Sequence, residues 1–290
     1  MIYSSPNQLV IFDKMTSYDS KKIIYLTGAS GQIGLSVRKM LANKDHKVVV
    51  NSRKKIDLHP NEIFNEYRLG DKIVPLEGYK EHIFFHLAHD FEDRRTGHTN
   101  VNLVGLRKII YSFKSISRLK IIFISTPDVN NPRSTVYTAL KRLAEDMLDK
   151  DKDLIIRPSL IYDKNGENGL SGVFGFFPKL IIPVPVNQSN IAPIFLANFS
   201  EKFCEYALEK QYNGVFLFKG AQSMSLKDYL RKYYELYTFP LANIFWLTLV
   251  TLFRLTNSAN LFYLGERILG FIYLRDIDDL NDDDAIEVII

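Results

Sequence analysis

An apolar run, Lys22-Ile-Ile-Tyr-Leu-Thr27, leads straight into the glycine series Gly28-Ala-Ser30-Gly31-Gln32-Ile33-Gly34, and a helical pattern, Leu35-Ser-Val-Arg-Lys-Met-Leu41, comes at once after it. Strand, tight turn and helix in that order leave few arrangements open. A turn without side chains lets the backbone approach a pyrophosphate, and the helix N-terminus adds N–H groups and the positive end of a dipole. The spacing is G-x-x-G-x-x-G rather than G-x-G-x-x-G. The glycines alone fit either a plain strand-to-helix turn or a dinucleotide cradle. The flanking strand and helix favour the cradle.

The second strand reads His46-Lys-Val-Val-Val-Asn51-Ser52-Arg53. An acidic residue at its end would hold an adenine ribose 2′-hydroxyl. Here Asn51, Ser52 and Arg53 stand instead, and a cation with small polar neighbours suits a 2′-phosphate. NADP is therefore expected ahead of NAD. The competing reading makes Arg53 a solvated loop residue beside Lys54 and Lys55.

Well downstream, Ser134-Thr-Val-Tyr137-Thr-Ala-Leu-Lys141-Arg-Leu-Ala-Glu-Asp-Met-Leu148 has apolar residues at helical spacing, which sets Tyr137 and Lys141 one turn apart on one face. Tyrosine is a poor acid–base group near neutrality because its ordinary pKa is about 10. A neighbouring ammonium, with a positive nicotinamide ring, is expected to lower that value. The preceding strand, Leu119-Lys-Ile-Ile-Phe-Ile124, ends in Ser125-Thr126. The Thr126 hydroxyl there is placed to orient a substrate oxygen, or else to serve an ordinary turn.

With these residues in place, the chain resembles an extended short-chain dehydrogenase/reductase of the NAD-dependent epimerase/dehydratase family. The likeness is to its nucleotide-sugar epimerase, dehydratase and ketoreductase branch. Three further segments carry it. His82-Ile-Phe-Phe-His86-Leu87-Ala88 resembles the strand that passes beneath the cofactor. Asn102, in Asn100-Val-Asn102-Leu-Val-Gly105, stands where that family has an asparagine supporting the catalytic lysine through water. Leu154-Ile-Ile-Arg157-Pro158-Ser-Leu-Ile-Tyr162-Asp163 resembles the sixth strand and its R-P-x-x-x-Y-G tail.

The resemblance implies an α/β fold: a doubly wound parallel (Rossmann) sheet over residues 22–165, and a smaller C-terminal substrate lobe over most of 166–290. It implies that Tyr137 is the acid–base group, Lys141 its partner and Thr126 the orienting hydroxyl. It implies cofactor contacts from Gly28, Ser30, Gly31, Gln32, Ile33, Gly34, Ser52, Arg53, Leu87, Ala88, Asn102, Tyr137 and Lys141.

Departures from the family pattern narrow the activity. A 4,6-dehydratase would read Thr-Asp-Glu where this chain has Thr126-Pro127-Asp128, and proline cannot supply the acid. The segment from Thr126 to Tyr137 is short, and Tyr162-Asp163 lacks the usual glycine. Carbonyl reduction or 4-epimerisation of a sugar remains. Arg53 tilts the expectation to an NADP-dependent ketoreductase acting on a nucleotide- or lipid-linked sugar, because cells keep NADP mainly reduced. The alternatives are an NAD-dependent 4-epimerase and a cofactor-binding protein without catalysis.

Composition fits this picture. In 290 residues, 37 basic and 33 acidic side chains leave a net charge of +4 with no basic stripe, so no nucleic-acid partner is expected. The single cysteine, Cys204, is expected in the core, and the six histidines show no metal-ligand spacing. His89, at a strand end, is expected to be packed or held locally rather than turned to the cofactor. Residues 1–21 form an extension without a basic n-region or a long apolar core, so a cytoplasmic location is expected.

Beyond residue 165 the chain changes character. Asn165–Gly172 is loop-like, and Pro178, Pro183, Pro185 and Pro193 punctuate the stretch after it. Helices are expected over 201–210 and 225–236, the latter capped by Ser225, with a strand at 214–218 returning to the main sheet. Residues 240–253 and 262–274 are strongly apolar but too short and interrupted to span a bilayer, which takes roughly 20 apolar residues. They are expected to be lobe core or the interface of a homodimer. The sharper alternative is peripheral contact of 240–274 with the inner membrane surface, and loosely this part resembles ketoreductases of bacterial surface-polysaccharide pathways. The acidic end, Asp276 to Asp284, is expected to be a solvated tail.

Overall fold

Eight parallel strands order this computed structural model, which describes residues 22–133, 135–163, 181–185, 189–234, 237–256, 258–273, 275–277 and 285–290. The extension 1–21, Ser134, residues 165–172, Pro178 and most of the acidic run before Ala285 lie outside the described residues. In chain order the elements begin with β1 (Lys22–Thr27), α1 (Gln32–Leu41), β2 (Lys47–Ser52), β3 (Glu62–Glu66) and β4 (Glu81–His86). Next come α2 (Val101–Ser112), β5 (Leu119–Ile124), α3 (Val136–Glu145), β6 (Leu154–Pro158), β7 (Ile161–Tyr162) and β8 (Ile181–Pro185). Then come β9 (Asn190–Ile191), β10 (Ile194–Phe195), α4 (Leu196–Cys204), β11 (Gly214–Lys219) and β12 (Met224–Ser225). The last are α5 (Leu226–Tyr234), β13 (Tyr237–Leu241), α6 (Asn243–Leu255), α7 (Ala259–Ile272) and β14 (Ala285–Ile289).

The main sheet runs β14-β11-β6-β5-β4-β1-β2-β3. Parallel strands are covered on both faces and so read as nearly unbroken apolar runs. In β1 every residue from Ile23 to Thr27 is buried, and side chains alternate between two cores. Ile24 and Leu26 meet Val37 and Leu41 of α1 and Phe199 and Phe203 of α4. Ile23 and Tyr25 meet Leu106 and Ile109 of α2 and Leu140 of α3 on the other face. The sheet is thus doubly wound, and the order of strands reverses between β1 and β4. Such a switch point opens a crevice at the carboxyl ends of the strands, where ligands bind.

A third core belongs to the C-terminal lobe. It joins Val184, Ile191, Leu226, Tyr229, Leu230, Trp246, Val250, Ile268, Leu269 and Ile272. Ser225 does cap α5, since its Oγ accepts the Asp228 N–H at 3.1 Å. The helix expected over 201–210 begins earlier, at Leu196, and continues beyond Cys204 as a π-helical turn, Glu205–Glu209. Cys204 is buried in the core beneath α4.

Two strands depart from the sequence reading. β3 breaks the apolar pattern because Glu62 turns inward, where its carboxylate takes a bidentate pair of bonds from Arg38 of α1 at 2.8 and 2.6 Å. The stretch after the acidic run is the edge strand β14, paired in parallel with β11 from Val215↔Ala285 to Lys219↔Ile289.

Candidate active site

The glycine turn sits at the switch point. Gly28 has φ of +72°, and a Cβ there would lie 2.7 Å from the Ala88 nitrogen and 2.8 Å from the Leu87 carbonyl carbon. The backbone beyond β4 therefore runs directly against the turn. Gly34 is tighter still: its Cβ would fall 2.1 Å from the Gly28 oxygen, so only glycine lets α1 rise this close to the turn. Gly31 is the N-cap of α1 and offers no side-chain cap, and no acidic residue stands in the first turn. Ser30 and Gly31 are exposed, Gln32 and Ile33 half-buried. An anion placed here meets backbone N–H groups and a helix dipole without a competing carboxylate.

At the end of β2, Ser52 is buried and Arg53 is exposed. Asn51 is occupied within the sheet, donating to the Val49 oxygen at 3.2 Å and accepting from Asn65 Nδ2 at 2.8 Å. Arg53 makes no ion pair or hydrogen bond with any described residue. The residues at this strand end thus pair a small hydroxyl with an uncommitted cation.

Helix α3 carries Tyr137 and Lys141, the pair singled out by the sequence. Thr135 caps it, its Oγ1 accepting the Thr138 N–H at 3.1 Å, so the helix itself begins at Val136. Thr138, Lys141 and Glu145 recur every three to four residues on its buried side. Lys141 is 5% exposed, and its Nζ donates to the Ile124 carbonyl oxygen at 2.7 Å. The ammonium lies 4.6 Å from the centre of the Phe123 ring and 5.5 Å from that of Tyr137. Tyr137 is half-buried beneath an aromatic cluster. The His89 ring meets it edge-on at 4.9 Å, and Phe91 lies 6.0 Å from it and 4.5 Å from His89.

The electrostatics differ from the expectation. Burial pushes the Tyr137 phenol up to about 12, whereas the sequence reading has Lys141 and a bound nicotinamide ring together lowering it. Desolvation is the cause at Tyr137, and burial also lowers Lys141 to about 7, with Glu145 pulling the other way. His86 and His89 are also pushed down, by burial first and by Lys141 second, His86 to about 3. His86 is neutral and tied to Thr27, its Nδ1 lying 3.0 Å from the hydroxyl. Near neutral pH Tyr137 keeps its proton and both histidines are uncharged.

The Asn102 side chain is fully engaged. Its Oδ1 accepts the Asp90 N–H at 2.6 Å, and its Nδ2 donates to the Asp90 carbonyl at 2.9 Å and to Asn100 Oδ1 at 2.8 Å. The side chain is spent on clamping the loop that delivers His89 and Phe91. It still lines, with His86, Ala88, His89, Phe123 and Lys141, one narrow cleft beside α3.

Thr126 is half-buried at the carboxyl end of β5 and makes no side-chain cap to the short 3-10 turn Pro127–Asn130. No hydrogen bond joins it to Tyr137. Its neighbour Ser125, 2% exposed, holds a buried hydroxyl with no partner among the described residues. Sequence reasoning gives Ser125 and Phe91 no role and treats His89 as packing. Ser125 has a strand-end hydroxyl as its only signal, and the two rings reach Tyr137 through tertiary packing.

A buried ion pair fixes the whole helix. Arg157 of β6 donates to both oxygens of Glu145 at 3.1 and 2.6 Å, one turn beyond Lys141. At the other end, Glu266 of α7 accepts the Val136 N–H at 2.9 Å.

No family model and no curated protein matches the chain. Solved structures do. A nucleoside-diphosphate-sugar epimerase from Staphylococcus aureus superposes with a TM-score of 0.62 at 13% identity, over 90% of this chain and 94% of that one. The terminal R domain from the myxalamid PKS-NRPS biosynthetic pathway gives 0.61 at 14% identity, over 85% and 78%. A dTDP-glucose 4,6-dehydratase from Bacillus anthracis str. Ames, in complex with NAD, gives 0.58 at 12% identity, over 76% and 85%. At these identities the shared property is the fold, a doubly wound parallel sheet.

Proposed function

We propose that the protein is an NADP-dependent ketoreductase whose substrate is a sugar carried on a nucleotide or a lipid. The observation that carries this reading is that Tyr137 and Lys141, one turn apart on the helix after β5, follow the same edge of the parallel sheet as the Gly28 turn after β1 and Arg53 after β2. The crevice fits a dinucleotide. Gly28 and Gly34 leave room that any Cβ would fill, Gly31 to Ile33 present the helix N-terminus, and Leu87 and Ala88 floor the turn. Ser52 and Arg53 would hold a 2′-phosphate.

When bound, NADPH supplies the hydride that a keto carbon accepts. Tyr137 supplies the proton to the oxygen of that carbon, and its raised pKa keeps the proton on the phenol near neutral pH. Thr126 holds the same oxygen. Lys141, anchored on the Ile124 carbonyl with its Nζ 5.5 Å from the Tyr137 ring centre, would hold the cofactor's ribose and help return the phenol's proton. Positioned acid catalysis of this kind contributes on the order of a hundredfold to ten-thousandfold in rate. Two of the fold's relatives, a nucleoside-diphosphate-sugar epimerase and a dTDP-glucose dehydratase, handle sugars by name, and this supports a sugar substrate for this chain, in keeping with a role in surface-polysaccharide synthesis.

The test is a titration with NADPH and NADH followed by nicotinamide fluorescence, with Arg53→Ala beside wild type. The expected result is tighter NADPH binding that collapses in the variant, then turnover of a keto-sugar panel that Tyr137→Phe abolishes. NAD retained through purification with no NADPH preference would replace the reductase with a 4-epimerase. Binding of neither dinucleotide would overturn the enzyme reading.

A further inference from the structure

The outer face of α6 is apolar and dry. Ile244, Leu252 and Leu255 are 73%, 56% and 78% exposed, and Phe245 is 48% exposed at the start of the helix. Ile244, Phe245, Thr248, Leu249 and Leu252 line a shallow groove along it. The two exposed threonines of the helix do not offer their hydroxyls outward. Thr248 Oγ1 donates to the Ile244 carbonyl and Thr251 Oγ1 to the Leu247 carbonyl, each at 2.8 Å. What they present is methyl. Tyr237 and Phe239 of β13, 65% and 43% exposed, extend the apolar surface just before the helix.

The opposite face of α6 is committed to the lobe core through Trp246 and Val250. A Cβ on Gly265 of α7 would lie 3.3 Å from Phe253 Cβ, so the two helices touch closely, and Arg254 bonds Glu266 across them at 2.9 and 2.5 Å. The exposed face is therefore rigidly presented. A helix apolar on all sides is buried or meets lipid, and no described helix is long and apolar enough to cross a membrane.

Charge decides between occupants. Among the described residues of 226–256, Lys227, Arg231 and Lys232 are exposed cations and Asp228 a carboxylate, Arg254 is paired with Glu266, and the sequence adds Glu235. Lys227 and Arg231 are exposed on α5, the helix that packs on β13. A second copy docking by this face would bring one cationic surround against another. It would also find no outward hydrogen-bonding group in the groove of α6, where protein interfaces carry about one hydrogen bond per 100–200 Å². An anionic lipid surface matches both properties: it takes apolar side chains into the acyl boundary and lysine and arginine at its headgroups.

We propose that α6 and β13 dock this protein on an anionic lipid surface, with the axis of α6 in the membrane plane. This inference stands apart from the reaction proposed above, and a protein inactive on every keto-sugar could still bind. The test is co-sedimentation of the full chain with phosphatidylcholine vesicles, with and without phosphatidylglycerol. Beside wild type go Ile244→Asp/Leu252→Asp and Lys227→Glu/Arg231→Glu, each checked for native circular dichroism. Because all four side chains are exposed, both variants keep the fold. The expected result is pelleting with anionic vesicles, weakened by salt, lost in the first variant and reduced by on the order of tenfold in the second. Equal pelleting of wild type and both variants, or none with either vesicle, overturns the proposal. Concentration-dependent self-association that Ile244→Asp/Leu252→Asp abolishes, with no vesicle binding, gives the face to a second copy instead.

Discussion

Glu266 accepts the backbone N–H of Val136 at 2.9 Å, so a carboxylate from the C-terminal lobe completes the first turn of the helix that carries Tyr137. That oxygen joins the lobe to α3 beside a second link, the Asn131 Nδ2 bond to the Tyr273 carbonyl at 2.7 Å. The second oxygen takes both bonds from Arg254, and the residue as a whole is 4% exposed. Replacing Glu266 with alanine strands a helix N–H and frees an arginine. The expected loss is roughly 2 kcal/mol of stability, the usual scale for a hydrogen bond to a charged group. Urea unfolding measures it, and an unchanged midpoint would mean that this carboxylate adds no stability.

The Arg157–Glu145 pair should behave asymmetrically. Both side chains are almost wholly buried, and removing one leaves the other charged without a partner. Glu145→Leu alone is expected to cost roughly 3–5 kcal/mol, whereas Glu145→Leu with Arg157→Met should recover most of it. Equal losses in the single and double variants would refute this.

Lys141 gives a pH signature. Burial lowers it from 10.5 to about 7 in the folded protein. Between those values the unfolded chain holds a proton that the native one lacks, so stability rises with pH across that window and is flat below it. Tyr137, Cys204 and other buried groups titrate as well, so the informative quantity is the difference between wild type and Lys141→Met. That difference should grow in favour of wild type at two successively higher pH values inside the window. A constant difference would mean that Lys141 titrates normally.

Within the glycine turn the positions are not equivalent. Gly34→Ala sets a methyl 2.1 Å from the Gly28 oxygen and should abolish dinucleotide binding, with a stability loss of a few kcal/mol. Gly31→Ala meets only that same oxygen at 3.3 Å and should cost about 1 kcal/mol or less. Fluorescence titration and thermal melts on the two variants separate them.

The features legible in the sequence are the local ones. The glycine turn follows from its own residues, and an i,i+4 spacing fixes Tyr137 and Lys141 on one face of α3 whatever surrounds it. β3 stays hidden because Glu62 breaks the apolar pattern, and its reason is Arg38, a residue of another element. β14 is illegible after an acidic run because only its pairing with β11 makes it a strand. The direction of the Tyr137 shift depends on desolvation by side chains from the loop after β4, which no spacing rule reports. Asn102 is legible as a position at the crevice, but its partner is not, since Asp90 reaches it through a loop.

The lobe core draws on two separate passes of the chain. Leu160, Tyr162, Val184 and Ile191 arrive before β11, and Leu226 through Ile272 arrive after it. Between the passes the polypeptide returns to the main sheet to lay down α4 and β11. A single crossover between two related genes could not exchange this lobe without also carrying α4 and β11 of the main sheet. An engineer wishing to transplant the lobe alone must cut the gene on both sides of that stretch.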